Sequence, residues 1–115
     1  MMSLDIYLES VVCEHCGRGG EEVFSVNITH NLTGMADEAG IYKHLWRPEE
    51  LRIAKAEELI APLSAAVKLM MDDPGRFRKH NPENGWGDYG VFLSAVESYL
   101  SACQRYPKAT LRVWR

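Results

Sequence analysis

Three groups of residues in this chain have types and spacings that could do chemistry: a cysteine pair in a glycine-rich turn, two stretches crowded with amides and histidines, and a basic C-terminal segment. Cys13-Glu14-His15-Cys16-Gly17-Arg18 has the look of one zinc knuckle. Two thiolates three residues apart in a tight turn can grip one metal, and the glycine lets backbone donors face the sulfurs. Tetrahedral zinc needs four ligands, and there is no second pair of this kind in the chain. Cys103 is the candidate third ligand; His15 could be a fourth only in strained local geometry, and a symmetry mate could also supply a pair. His30 is carried about 20 Å away by the extended residues between. Cys13, Cys16 and Cys103 are therefore the candidate set for a structural zinc. Two other readings stand beside it: an inert turn with free thiols, and a redox dithiol, which normally needs a helix N-terminus to activate its thiolate.

The amide-rich stretches are Asn27-Ile28-Thr29-His30-Asn31 and His80-Asn81-Pro82-Glu83-Asn84-Gly85-Trp86-Gly87-Asp88-Tyr89. Asn84-Gly85 favours a turn with positive φ, and the glycines flanking Trp86 suggest backbone packed closely about a large ring. Asn27, His30, Asn31, Glu83, Asn84, Trp86 and Asp88 are the candidate ligand-binding residues, since a few convergent polar groups beside an aromatic make a recognition site. A plainly structural reading competes: Asn31 or Thr33 caps the next helix, Asp88 caps the last one, and Trp86 plugs the end of the core. A catalytic reading would take His30 or His80 as base with Glu83 or Asp88 as partner. No P-loop, dinucleotide fingerprint, nucleophile elbow or HExxH motif is present, so no residue is assigned as catalytic.

Charge narrows the partners. Thirteen basic against sixteen acidic side chains do not favour nucleic acid, whose phosphates call for an excess of Lys and Arg. Arg105, Lys108, Arg112 and Arg115 form a local cluster that reads as a solvated face. No apolar run approaches the roughly 18 residues of a membrane span. The first residues, Met1-Met2-Ser3-Leu4-Asp5, have neither the basic nor the apolar region of a signal peptide. A cytoplasmic setting is expected, and the sequons at Asn27 and Asn31 are taken as chance.

These groups must be positioned by a small set of elements. With 115 residues, 46% of them apolar and 25% charged, the chain fits one domain, 1–115, with a self-sufficient core. Leu4, Ile6 and Leu8 alternate with polar residues, as do Phe24, Val26 and Ile28, and later Leu111 and Val113; each run predicts a half-buried strand. Cys13 to Gly20 joins the first two as a hairpin. Met35 to Leu45 predicts one short helix, weakened at Gly40. Pro48 suits a first helical position, and Leu59, Leu63, Val67 and Met70 mark a buried stripe that Pro62 is expected to kink or split. Asp73-Pro74 opens a short turn through Phe77, and Asp88 caps a last helix whose apolar face is Tyr89, Phe92, Val96, Tyr99 or Leu100, and Cys103.

The predicted fold is α+β: a three-stranded antiparallel or mixed sheet, made of a β-hairpin plus a C-terminal strand, covered on one face by three to four helices. The first strand is expected in the centre. If the helices alternate in direction, both amide-rich stretches land at the same end of the domain. Tyr7, Val23, Arg112 and Trp114 should project from the uncovered sheet face, an aromatic patch that could join two copies in a homodimer.

The segments SLDIYLE, NITHNLTGMADEAGIYKHLWRPEEL, NPENGWGDY and the final SACQRYP helix end resemble a family of small uncharacterised proteins of bacteriophages and their bacterial hosts. The resemblance covers most of the chain and implies no activity. It implies that NITHN and NPENGWGDY are signature segments that belong together, and that the CEHCGRGG turn is an optional extra. The function expected from these readings is a non-catalytic binding module of phage or bacterial origin, holding a small molecule or a host protein segment at the polar loops. The alternatives are a small hydrolase-like enzyme with a His/carboxylate pair, and an interaction subunit that dimerises through its sheet.

Overall fold

The computed structural model describes residues 3–115 apart from 12–14, 16, 18, 84 and 86. Strand β1 (Ser3–Glu9) sits between β2 (Glu22–Thr29) and β3 (Thr110–Trp114), and both pairings are antiparallel. The period-2 pattern decides the register: Leu4, Ile6 and Leu8 are fully buried on the inner face, opposite Ile28, Val26 and Phe24 respectively. Burying each of these aliphatic side chains stabilises the fold by about 1.5–3 kcal/mol, and a one-residue slip would send all three into water. The start of β3 is pinned by the chain at 54–56, where Leu111 N–H donates to the Ala54 carbonyl and Ala56 N–H to that of Ala109, both at 3.0 Å.

Among the described residues, five α-helices and three 3-10 turns follow the hairpin: α1 (Thr33–Glu38), α2 (Tyr42–Trp46), α3 (Ile60–Asp72), α4 (Pro74–Arg78) and α5 (Tyr89–Arg105). The last is the predicted one, with Tyr89, Phe92, Val96, Tyr99 and Cys103 on its buried face. It packs against α3 and β2, closing the core over the sheet.

Two helix boundaries differ from those expected. The single helix over Met35–Leu45 is two helices, because Gly40 at φ +77° ends α1. Gly40 N–H donates to Asp37 C=O and Ile41 N–H to Ala36 C=O, the paired bonds of a Schellman ending. Pro62 does not kink a helix. It falls in the first turn of α3, where the backbone N–H it lacks would have had no partner. The break lies upstream, where Pro48–Leu51 and Ala56–Leu59 form separate 3-10 turns and Arg52 turns left-handed at φ +58°.

On the uncovered sheet face Arg112, not Trp114, stands directly opposite Tyr7, with its guanidinium 4.8 Å from the ring centroid. Trp114 lies opposite Asp5 and is 61% exposed. Val23 leaves this face. Glu9 pairs with Glu22 and Leu8 with Phe24, so Val23 is the extra residue of a bulge and packs against the core. Among the described residues no helix is long and apolar enough to cross a membrane.

Candidate functional site

The two amide-rich stretches meet. β2 ends at Thr29, whose hydroxyl accepts from Asn31 N–H at 3.4 Å and starts the 3-10 turn His30–Leu32 that runs into α1. The loop from α4 to α5 comes back to the same place. Gly87 holds φ +91°, and a Cβ placed on it would lie 2.9 Å from Thr29 Cγ2 and 3.2 Å from Leu32 Cδ1. Only a glycine allows that approach of one backbone to the other segment. A few residues away the His80 ring stands over Gly34, with Nδ1 3.5 Å from where a Cβ would be.

Much of the polar content of these segments is already engaged. Asn27 points to the uncovered sheet face and donates to Ser3 Oγ at 3.0 Å and Asp5 Oδ1 at 2.7 Å. His30 accepts at Nδ1 from the Trp46 indole at 2.7 Å, which ties the 3-10 turn to α2. Asp88 caps α5, accepting from Val91 N–H at 2.9 Å, and Asn81 accepts from Tyr89 N–H at 2.8 Å. The Tyr89 hydroxyl donates to the Met70 carbonyl at 2.6 Å. Asn31 and Glu83 are exposed, while Asn84 and Trp86 lie outside the described residues. Thr29 caps the 3-10 turn before α1, and α1 itself starts after Leu32 with no side-chain cap bond at that position.

The carboxylate partner of a histidine is a residue that sequence reasoning missed. His80 Nε2 lies 3.0 Å from Glu38 Oε1, and Arg76 Nε donates to Glu38 Oε2 at 2.7 Å. Lys79 Nζ is 3.7 Å from the same carboxylate. The His80 hydrogen bond first, and the Arg76 bond second, hold the Glu38 carboxyl down at about 2 against an ordinary 4.5. Neither Glu83 nor Asp88 takes that place. Glu38 sits forty-two residues away in sequence, in a segment that reads only as the polar face of a short helix.

Beside this network α1 and α2 border a cleft of about 340 Å³ lined by Thr33, Gly34, Asp37 and Tyr42. A second of about 240 Å³ shares Asp37 and Tyr42 and extends to Lys43, His44 and Leu51. Tyr42 stacks on Trp46 at 5.6 Å, so its ring is held as one wall. The Tyr42 phenol first, and then Glu50, hold the Arg47 guanidinium above its usual range. Burial pushes the His44 imidazole down, and its Nδ1 is buried with no hydrogen-bond partner among the described residues. The signal for these residues was present only as Gly40, whose helix-ending role separates α1 from α2 and opens the corner between them.

Of the candidate metal ligands, Cys13 and Cys16 lie outside the described residues. Cys103 is a free cysteine, fully buried in the core. Burial pushes its thiol up to about 12, which opposes the thiolate that zinc requires. Among the described residues no group of three or more His, Cys, Asp or Glu is placed to hold a metal ion. The basic C-terminal cluster is dispersed: Lys108 pairs with Glu57, Arg112 with Glu9, and Arg115 with Glu49, while Arg105 lies over the Tyr106 ring.

No protein-family model, curated protein or solved structure matches this chain.

Proposed function

We propose that this protein is a non-catalytic binding module of phage or bacterial origin that holds a small molecule or a segment of a host protein where its two polar segments join. The observation that carries this reading is the packing of Gly87 onto Thr29 and Leu32, with the cleft of Thr33, Gly34, Asp37 and Tyr42 beside it. An open cleft of a few hundred cubic ångströms with a few fixed polar groups has the size and character of a small-ligand site. The packing also gives the two segments quoted for the phage-family resemblance a shared place in the fold. Native mass spectrometry of protein taken directly from cells is the test. A retained mass that disappears in Asp37→Ala, with the circular dichroism unchanged, supports the reading. A retained mass indifferent to every cleft substitution overturns it.

A second reading, a small hydrolase-like enzyme, draws on the 3.0 Å His80–Glu38 contact. A carboxylate accepting from Nε2–H would leave Nδ1 as a base facing Gly34. Arg76 and Lys79 share that carboxylate, however, and the group ties α1 to α4 as an ion-pair strut. Turnover of an activated ester by the native protein and not by His80→Ala would put the enzyme first. The subunit reading draws on exposed Trp114; equal monomeric masses for native protein and Trp114→Ala by light scattering would end it.

A further inference from the structure

We infer that the cleft of Thr33, Gly34, Asp37 and Tyr42 takes an organic cation, a primary ammonium or a guanidinium group at the end of a short chain. This rests on the binding-module reading and names the chemistry of its ligand.

Three features of the cleft point the same way. First, Asp37 is the one charged residue among the four described residues that line it. Its neighbour Glu38 is saturated by Arg76, Lys79 and His80, and Glu50 is shared by Lys43 and Arg47. No described side chain pairs with the Asp37 carboxylate. The helix geometry explains the difference. Residues 37 and 38 point about 100° apart on α1, so Glu38 faces α4 while Asp37 faces the corner towards α2.

Second, Tyr42 presents a ring fixed by stacking on buried Trp46, with an interplanar angle of 17°. An aromatic face beside a carboxylate is the pairing that recognises ammonium and guanidinium groups, since ring quadrupole and charge attract the same ligand.

Third, the adjoining cleft supplies room for the chain behind the charged head. It shares Asp37 and Tyr42 and continues over Gly40 and Leu51. Burial pushes the imidazole of His44 on its wall down, away from its charged form. The cations nearby are Lys43, which lines the adjoining cleft, and Lys79; each is already paired, with Glu50 and Glu38 respectively, and at 55% and 62% exposure solvent screens them as well.

The test uses three four-carbon probes that differ only in the head group: n-butylammonium, butan-1-ol and butyrate. Each is titrated into the full chain while amide resonances are followed by two-dimensional NMR. Butylammonium should give saturable shifts at Thr33, Gly34, Asp37 and Tyr42 with a millimolar midpoint. Its affinity should exceed those of the alcohol and the acid by about tenfold, the combined worth of one partly exposed ion pair and one cation–π contact. Asp37→Asn, which keeps the shape and removes the charge, should abolish that preference. If butanol or butyrate binds the cleft as well as butylammonium, the site stands and the cation assignment falls. If none of the three shifts the cleft residues of the folded protein, the assignment and the binding reading fall together.

Discussion

Gly87→Ala is the substitution that probes the join between the two polar segments most directly. Two costs follow from the structure. Gly87 sits at φ +91°, where an L-residue is strained by roughly 1–2 kcal/mol. The added Cβ would also stand 2.9 Å from Thr29 Cγ2 and 3.2–3.3 Å from Leu32. That is well inside ordinary carbon–carbon contact, and overpacking of this kind costs about 1–3 kcal/mol. The expected loss is therefore about 2–5 kcal/mol. Gly85→Ala provides the control. It shares the positive φ, at +75°, but its Cβ would meet nothing within 4 Å. It should lose only the conformational part. Any stabilisation from stiffening the unfolded chain is common to both and cancels in the difference. Urea unfolding of the two variants should separate them by about 1–3 kcal/mol at equal m-value, with a gap in Tm of about 4 °C per kcal/mol for a chain of this length. Equal stabilities for the two would mean that the segments do not pack as described.

Four further outcomes follow. Trp46→Phe removes the indole that donates to His30 at 2.7 Å and leaves a gap in the core, so urea unfolding should show a loss of about 2–3 kcal/mol. Glu38 has its carboxyl depressed to about 2 from 4.5. Its contribution is full above the unfolded value and is lost as pH falls towards the folded one. Tm of the native protein should thus drop more steeply than that of Glu38→Gln between those two pH values. Cys103, with its thiol pushed to about 12 by burial, should resist iodoacetamide in the folded protein and react in urea, as peptide mapping would show. Tyr99 is fully buried with a hydroxyl that has no partner among the described residues, so Tyr99→Phe should leave stability unchanged or raise it by up to about 1 kcal/mol.

The strands and the last helix were legible because each buries a face at its own period: Leu4, Ile6 and Leu8 at two residues, Tyr89, Phe92, Val96, Tyr99 and Cys103 at three or four. The helices between were legible as apolar stripes but not in their boundaries. Gly40 and Pro62 were both recognised as breakers, yet their effect depends on where the first turn of a helix falls, and that is settled by packing. Val23 was placed on the wrong side of the sheet because alternation cannot register a bulge. Within the site, local caps such as Asp88 were visible at three-residue range, whereas Glu38 and His80 meet only because α1 and α4 are folded together.

That difference in range also explains why richness in polar residues is a poor guide to where a ligand sits. NITHN and NPENGWGDY are dense in amides and hydroxyls, and in the described residues those groups are consumed locally. Thr29 serves the turn after β2, Asn81 and Asp88 serve the start of α5, and Asn27 serves the sheet. A side chain that satisfies its own backbone has little left to offer a partner. The free capacity lies one helix further on, in a segment with no distinctive composition, where Asp37 is turned away from the cations that Glu38 collects. A site of the kind proposed is set by the unpaired remainder of a charge network, and the remainder appears only once every other member has been assigned its partner.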